Sequence, residues 1–160
     1  MAAVSENNVI GNQGKIPWRI KEDVARFKEL TVYPPVIMGR LTYESIPPKF
    51  RPLSERKNIV ISLTMQASEG MYVARTIEEA IALSEGRDTY VAGGQRVYQD
   101  FLPHADRIEL TQIYRSFEGD AFFPQIEMER WKPTAVSEVA RTQDGLEYQF
   151  FSYERTENNP

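Results

Sequence analysis

Wound at about 100° per residue, the stretch from Ile20 onward sets Ile20, Val24, Phe27, Leu30 and Thr31 on one arc. Lys21, Glu22, Ala25, Arg26, Lys28 and Glu29 fill the rest of the circle. The spacing predicts an amphipathic helix to about Thr31, where Tyr33-Pro34-Pro35 stops it. One residue breaks the pattern: Asp23 falls inside the apolar arc, between Phe27 and Leu30. Elsewhere apolar residues come in short unbroken runs. VIMG at 36–39, NIVIS at 58–62, MYVAR at 71–75 and DTYVAGG at 88–94 read as strands, with MAAV a short first one. VIMGR and YVAGG are apolar on both parities, as strands covered on both faces should be.

Between these runs, RLTYESI reads as a short helix. TIEEAIALS reads as another, because Thr76 can cap it and Glu79 follows three positions on. QRVYQDFL is a further helix, closed by Pro103. From Asp106 the pattern changes to the long strands RIELTQIY, WKPTAVSEVA and LEYQFFSYER. SENNVIGNQGKIPW, with Gly11 and Gly14, reads as a mobile surface loop, and PPKFRPLSERK as a Pro-rich basic one. Strands alternating with four helices, then a run of strands, predict an α/β sandwich. Its central sheet should be mixed and mostly parallel, with an antiparallel C-terminal edge.

At 160 residues, with 41% hydrophobic and 26% charged, the chain reads as one globular domain over 1–155. The polar stretch 156–160 should fray. A net charge of -4 argues against a broad nucleic-acid footprint, although local basic clusters can hold small anions. Without cysteine, disulfides, zinc ribbons and thiol nucleophiles drop out together. The single histidine, His104, cannot supply a His-rich metal set, so a structural or surface role and no metal are expected. No apolar run approaches membrane-spanning length and no secretory leader stands at the N-terminus, so the cytoplasm is the expected compartment.

Ligands of open α/β sheets gather at the carboxyl ends of strands, where helix starts offer free N–H groups. Three such places stand out: Gly39 with Arg40 and Thr42, the pair Gly93-Gly94, and Ser62 and Thr64 with Arg75 nearby. Converging, they would cradle a dinucleotide. Each alone has a plainer reading: a turn for the glycine pair, a solvated charge for Arg40. No G-x-G-x-x-G follows the first strand. Asp23 also has two readings, a first-turn residue favoured by the helix dipole or a buried carboxylate that needs a partner. Arg51, Arg56 and Lys57 are either a solvated loop or a planar fork for a ligand carboxylate.

Taken in order, VIGNQGKIPW with Asp23 five residues after Trp18, FK at 27–28, VIMGRLTYESIP, RPLSERKNIVIS, VAGGQRVYQDFLP, IELTQIY and EGDAFFP resemble the dihydrofolate reductase family along nearly the whole chain. The resemblance implies a mixed sheet of about eight strands and NADPH-dependent reduction of 7,8-dihydrofolate, by a monomer open to antifolate inhibitors. It implies that Asp23 holds the pterin ring, steadied by Thr111, with Trp18 near the proton donor. Ala2, Ala3, Val24, Phe27, Ile46, Leu53, Ala92 and Tyr98 would line the substrate slot, and Arg56 would clamp the glutamate carboxylate with Lys28 and Arg51 at the rim. Ala3, Ile10, Gly11, Ala92, Gly93, Gly94, Gln95, Arg96, Val97 and Tyr98 would surround the nicotinamide half and its phosphates. Gly39, Arg40, Leu41, Thr42, Ser62, Leu63 and Arg75 would hold the adenosine half. The loop from Glu6 to Lys15 would act as a lid.

Departures from the family pattern matter too. The first strand begins about four residues late, Leu41 and Leu63 replace residues that are often polar, and Ala92 is unusually small. Two rival readings stand beside it: a pyrimidine reductase of riboflavin synthesis, which shares the architecture and cofactor but lacks the Pro-Trp…Asp element, and, from another class, a catalytically silent nucleotide- or folate-binding module.

Overall fold

A computed structural model describes residues 1–156. Of the stretch 156–160 expected to fray, Thr156 is instead held by the carbonyls of Arg130 and Glu129, and the rest lies outside the described residues. The strands are β1 (Ala2–Val4), β2 (Val9–Gly11), β3 (Val36–Gly39), β4 (Asn58–Ile61), β5 (Met71–Ala74), β6 (Tyr90–Val91), β7 (Arg107–Ile113), β8 (Ala121–Phe122), β9 (Trp131–Val136), β10 (Ala140–Arg141) and β11 (Glu147–Arg155). The helices are α1 (Lys21–Thr31), α2 (Arg40–Ser45), α3 (Ile77–Leu83) and α4 (Gln95–Phe101). β5, β4, β3 and β6 form one ladder in that order, all parallel. In the second ladder β1 lies parallel to β7, while β11 runs antiparallel to β7, β9 and β10. The expected mixed sheet with its antiparallel C-terminal edge is present. Between the two ladders the Met1 α-ammonium donates to the Val91 carbonyl at 3.0 Å.

Double-sided burial explains the unbroken apolar runs. Ile37, Ile59 and Ala74 pack one way, against Ala80 of α3 and Val97 and Phe101 of α4. Val36, Met38 and Val60 pack the other way, with Tyr43, Met71 and the half-buried Phe27 of α1. Each such side chain stabilises the fold by roughly 1.5–3 kcal/mol, so a polar residue on either parity would be selected against by energy alone.

Several expectations need correcting. The arc of α1 is not uniformly covered: Ile20 and Thr31 are buried, but Val24 is 65% exposed. Arg26, assigned to the solvent arc, instead pairs with the buried Glu109 at 2.9 Å. The loop after β1 is not free. Its β2 pairs with β8, and a Cβ on Gly119 would come within 2.3 Å of Val9 Cγ1, so only glycine lets the two backbones meet there. WKPTAVSEVA is two strands rather than one. Ser137 exchanges bonds with Phe150 through its own N–H and hydroxyl, which ends β9. DTYVAGG keeps only Tyr90 and Val91 as strand. At α3, Thr76 caps the N–H of Glu79 as expected, but the Glu79 carboxylate accepts from the N–H of Arg75, one residue before the cap.

Candidate active site

Asp23 is the third residue of α1, and Ile20 before the helix provides no side-chain cap. Both readings of the sequence therefore hold in part: Asp23 stands in the first turn, where the dipole favours it, and it also turns inward. Its Oδ1 accepts from the Thr111 hydroxyl of β7 at 2.6 Å. Burial raises its pKa above the ordinary 3.8, while the Thr111 hydrogen bond and the nearby Arg26 charge pull the other way. Two residues earlier on β7, Glu109 shares the same face. Its carboxylate is enclosed by Arg26, Arg107 and the Ser152 hydroxyl at 2.6–2.9 Å. Arg26 also lies over the Phe150 ring.

Phe27, Ile46, Leu53 and Ala92 all pack, half-buried, against one cluster around Met38 and Tyr43. Four of the expected slot residues therefore converge from α1, the end of α2, the basic loop and the end of β6. Ala3 and Trp18 share a neighbouring cluster with Ile20 and Ile113. Trp18 packs on Phe117, and its buried Nε1 donates to no group among the described residues. Arg56 is poised by Thr31, whose hydroxyl accepts from Nη1 at 2.7 Å, and partial burial lowers the guanidinium pKa. Arg51 is committed differently: its Nη1 donates to the carbonyls of Glu44 and Ile46, bracing the end of α2. Lys28 is exposed.

The ends of β3 and β6 meet directly. The Gly39 N–H donates to the Gly93 carbonyl at 2.9 Å. A Cβ on Gly39 would lie 3.2 Å from Val97, one on Gly94 3.4 Å from the Thr42 hydroxyl, and one on Gly93 3.3 Å from the Tyr98 ring. Gly93 also has φ +113, which L side chains avoid, so the pair leaves bare backbone where a ligand's phosphates can approach. Tyr98 is half-buried, with its hydroxyl donating to the Met1 carbonyl. Burial, and then the Asp23 charge, hold that phenol above its usual range.

On the far side Ser62 is tied down by the N–H groups of Thr64 and Met65, while Arg75 donates to the Ser62 carbonyl at 2.6 Å. Arg40 pairs with Glu44. Leu41 and Leu63 are 71% and 82% exposed, the kind of apolar surface that a flat ring system covers. Arg96 is exposed and pairs with Asp100, and Val97 is buried. Gln95 is occupied: its side-chain oxygen accepts from the Phe122 N–H, tying α4 to the β2–β8 ribbon. Ala2 packs with Val4 and Leu110, Ile10 lies against that cluster, and Gly11 accepts from the Asp120 N–H at the ribbon edge.

Sequence reasoning missed the Arg26–Glu109–Ser152 network. Its only signal was Arg26 one helical turn after Asp23, a spacing that puts both on one side of α1.

The dihydrofolate reductase family model matches residues 1–155. A dihydrofolate reductase of Neisseria meningitidis serogroup A is 41% identical, with 97% of this chain and 96% of the relative aligned. That of Bacillus subtilis is 34% identical over 96% of this chain and 91% of its own. Among solved structures, dihydrofolate reductase from Enterococcus faecalis, complexed with NADP(H) and RAB-propyl, superposes with a TM-score of 0.86 at 31% identity, over 98% of this chain and 94% of that one. The chain belongs to the dihydrofolate reductase family.

Proposed function

We infer that this chain reduces 7,8-dihydrofolate to 5,6,7,8-tetrahydrofolate with NADPH, supplying one-carbon metabolism from a single domain over 1–155. The observation that carries the assignment of residues is Asp23, a half-buried carboxylate with one side-chain donor among the described residues and acceptor capacity to spare. A pterin offers what it lacks, two adjacent N–H donors on one flat edge. Thr111 holds Oδ1 and so leaves the carboxylate turned toward the ring.

The bare Gly93-Gly94 backbone and the cations Arg40 and Arg75 fit a dinucleotide phosphate chain. NADPH, when bound, supplies the hydride that adds across the C=N bond of the ring. The protein's share is to place the ring and to provide for the proton. Negative charge develops on the ring nitrogen, and an ionised Asp23 on the opposite edge favours the protonated ring. Trp18 Nε1–H is free to hold a water near that nitrogen. Phe27, Ile46 and Leu53 supply the apolar walls, and Ala2, Ala3, Val24 and Ala92 the remaining contacts. Arg56, steadied by Thr31, receives the glutamate carboxylate. Arg51 serves by bracing the end of α2, and Lys28 adds positive charge at the rim. Ile10, Gly11 and Gln95 join the nicotinamide side through the β2–β8 ribbon. We place the enzyme in the cytoplasm as a monomer, the compartment being favoured by its need for a diffusible NADPH pool.

Loss of NADPH absorbance tests the reading. Turnover is expected with dihydrofolate, and not with the aminopyrimidine substrate of riboflavin synthesis. Turnover of the pyrimidine alone, or binding of both ligands without turnover, would overturn it.

A further inference from the structure

One interior charge takes no part in the chemistry assigned to the site: Arg26, one turn on from Asp23 along α1. Its side chain is 22% exposed and bonds through Nη2 to Glu109, which is 8% exposed. The guanidinium also lies 4.7 Å from the centroid of the Phe150 ring. In the pairing of β7 with β11, Glu109 stands opposite Ser152, and Thr111 opposite Phe150. Residues directly opposite share a face of the sheet, so Arg26 spans two successive pairs on that face. It is bonded to the acid of the first and lies over the ring of the second. Thr111, the other member of the second pair, is the residue that donates to Asp23. Arg26 and Asp23 therefore rest side by side, on residues about 4.5–5.5 Å apart at Cα. Glu109 occupies only part of the fork. Arg26 Nη1 is buried and donates to no group among the described residues, so positive charge on that arm is left unmatched.

We propose that Arg26 is a positioning residue of the pterin site: anchored by Glu109, it keeps a positive charge beside the Asp23 carboxylate and so sets the pH range over which Asp23 and the bound ring hold their proton. This role rests on the dihydrofolate reading of the site. A guanidinium keeps its charge at every working pH, so it lowers the cost of an ionised Asp23 before a ligand arrives. Burial raises the Asp23 pKa, and the Thr111 hydrogen bond and the Arg26 charge oppose that rise. The same charge works against a protonated ring, so with Arg26 present the proton leaves the complex at a lower pH. The other ionisable groups nearby are otherwise engaged. Glu22, beside Asp23 on α1, turns to the Tyr148 phenol of β11. That phenol and Tyr98 of α4 both sense the Asp23 charge, and burial holds them above their usual range, so they stay neutral. Glu109 is spent on Arg26, Arg107 and Ser152. On the β1 side the Met1 α-ammonium faces Glu109 and Arg26.

The test follows turnover of dihydrofolate with NADPH across pH, in the intact protein and its variants. Turnover needs the ring's proton, so it falls on the alkaline side. In Arg26→Met that fall should come at higher pH, and the alkaline rate, relative to the variant's own plateau, should gain roughly three- to tenfold. Arg26→Lys keeps the charge and should keep the parent's profile. Arg26→Met alone leaves Glu109 unpaired. The double variant, Arg26→Met with Glu109→Gln, removes both charges and should fold and show the same displacement. A role limited to packing would lower the plateau without moving the profile. Carbon-13 NMR of the Asp23 carboxyl in the ligand-free protein reads the coupling without turnover, and it should titrate at higher pH in the Met variants than in the parent. Were the parent not to reduce dihydrofolate, the proposed function would fail while this titration still located the Arg26 charge. A profile or titration unmoved in the Met variants, an equal displacement in Arg26→Lys, or loss of folding in both Met variants would overturn the proposal.

Discussion

Two carboxylates lie over the same face of β7, one from the strand and one from α1, and they are treated oppositely. Glu109 projects from the strand and is closed off by two guanidinium groups and a hydroxyl. Asp23 comes down from α1, meets the next side chain on that face, Thr111, and finds only that one side-chain donor among the described residues. A buried anion is tolerated where its lone pairs are matched. Glu109 is matched by the chain, so it holds α1, β7 and β11 together. Asp23 is matched only in part, so it has bonding capacity left for a ligand. On the function proposed, the difference separates a buried structural ion pair from a half-buried binding group.

The largest expected effect breaks the Asp23 side of that comparison. Asp23→Asn should lower kcat/KM for dihydrofolate about 10²–10⁴-fold, because it removes the charge that favours the protonated ring. The Asn oxygen still accepts from Thr111, so Tm should not fall. Steady-state kinetics beside a thermal melt measures both. Glu109→Gln should do the reverse, costing on the order of 3 kcal/mol in urea unfolding by stranding Arg26. Its kcat per folded molecule should stay within a few-fold of the parent. A smaller effect sharpens the ligand side: Arg56→Gln should raise KM for dihydrofolate by roughly 10–100-fold, the worth of a charge-assisted hydrogen bond, with kcat nearly unchanged.

The smallest effect is a pH dependence. Folding makes Asp23 harder to ionise, so its charge weighs against the folded state at neutral pH. That penalty is absent below the ordinary value of 3.8 and reaches its full size once pH has risen through the higher folded-state pKa. Asp23→Asn carries no such penalty. Its Tm should exceed the parent's by a few degrees at neutral pH, and the excess should vanish on acidification towards 3.8.

How much of this was legible in the chain depends on the range of each interaction. The parallel strands could be read because Val36, Ile37 and Met38 are buried on both parities, a local pattern. The Thr76 cap could be read because its partner is three residues away. Asp23 could be read because a helix wheel exposes a misplaced charge. Glu109 could not: its partners Arg26 and Ser152 are 83 and 43 residues distant, and nothing local marks it. The β2–β8 ribbon was hidden for the same reason, since the contact of Gly119 with Val9 is a meeting of remote backbones. The openness of Val24 was also illegible. A helix wheel shows which side is apolar, but not whether protein or ligand covers it.

The most direct test of the contrast is a carbon-13 NMR titration of the Asp23 carboxyl, with and without bound folate. In the free protein it should titrate above 3.8, and bound folate should keep it ionised to a lower pH. A free-protein value at or below 3.8, or a titration that folate leaves unmoved, would contradict the account.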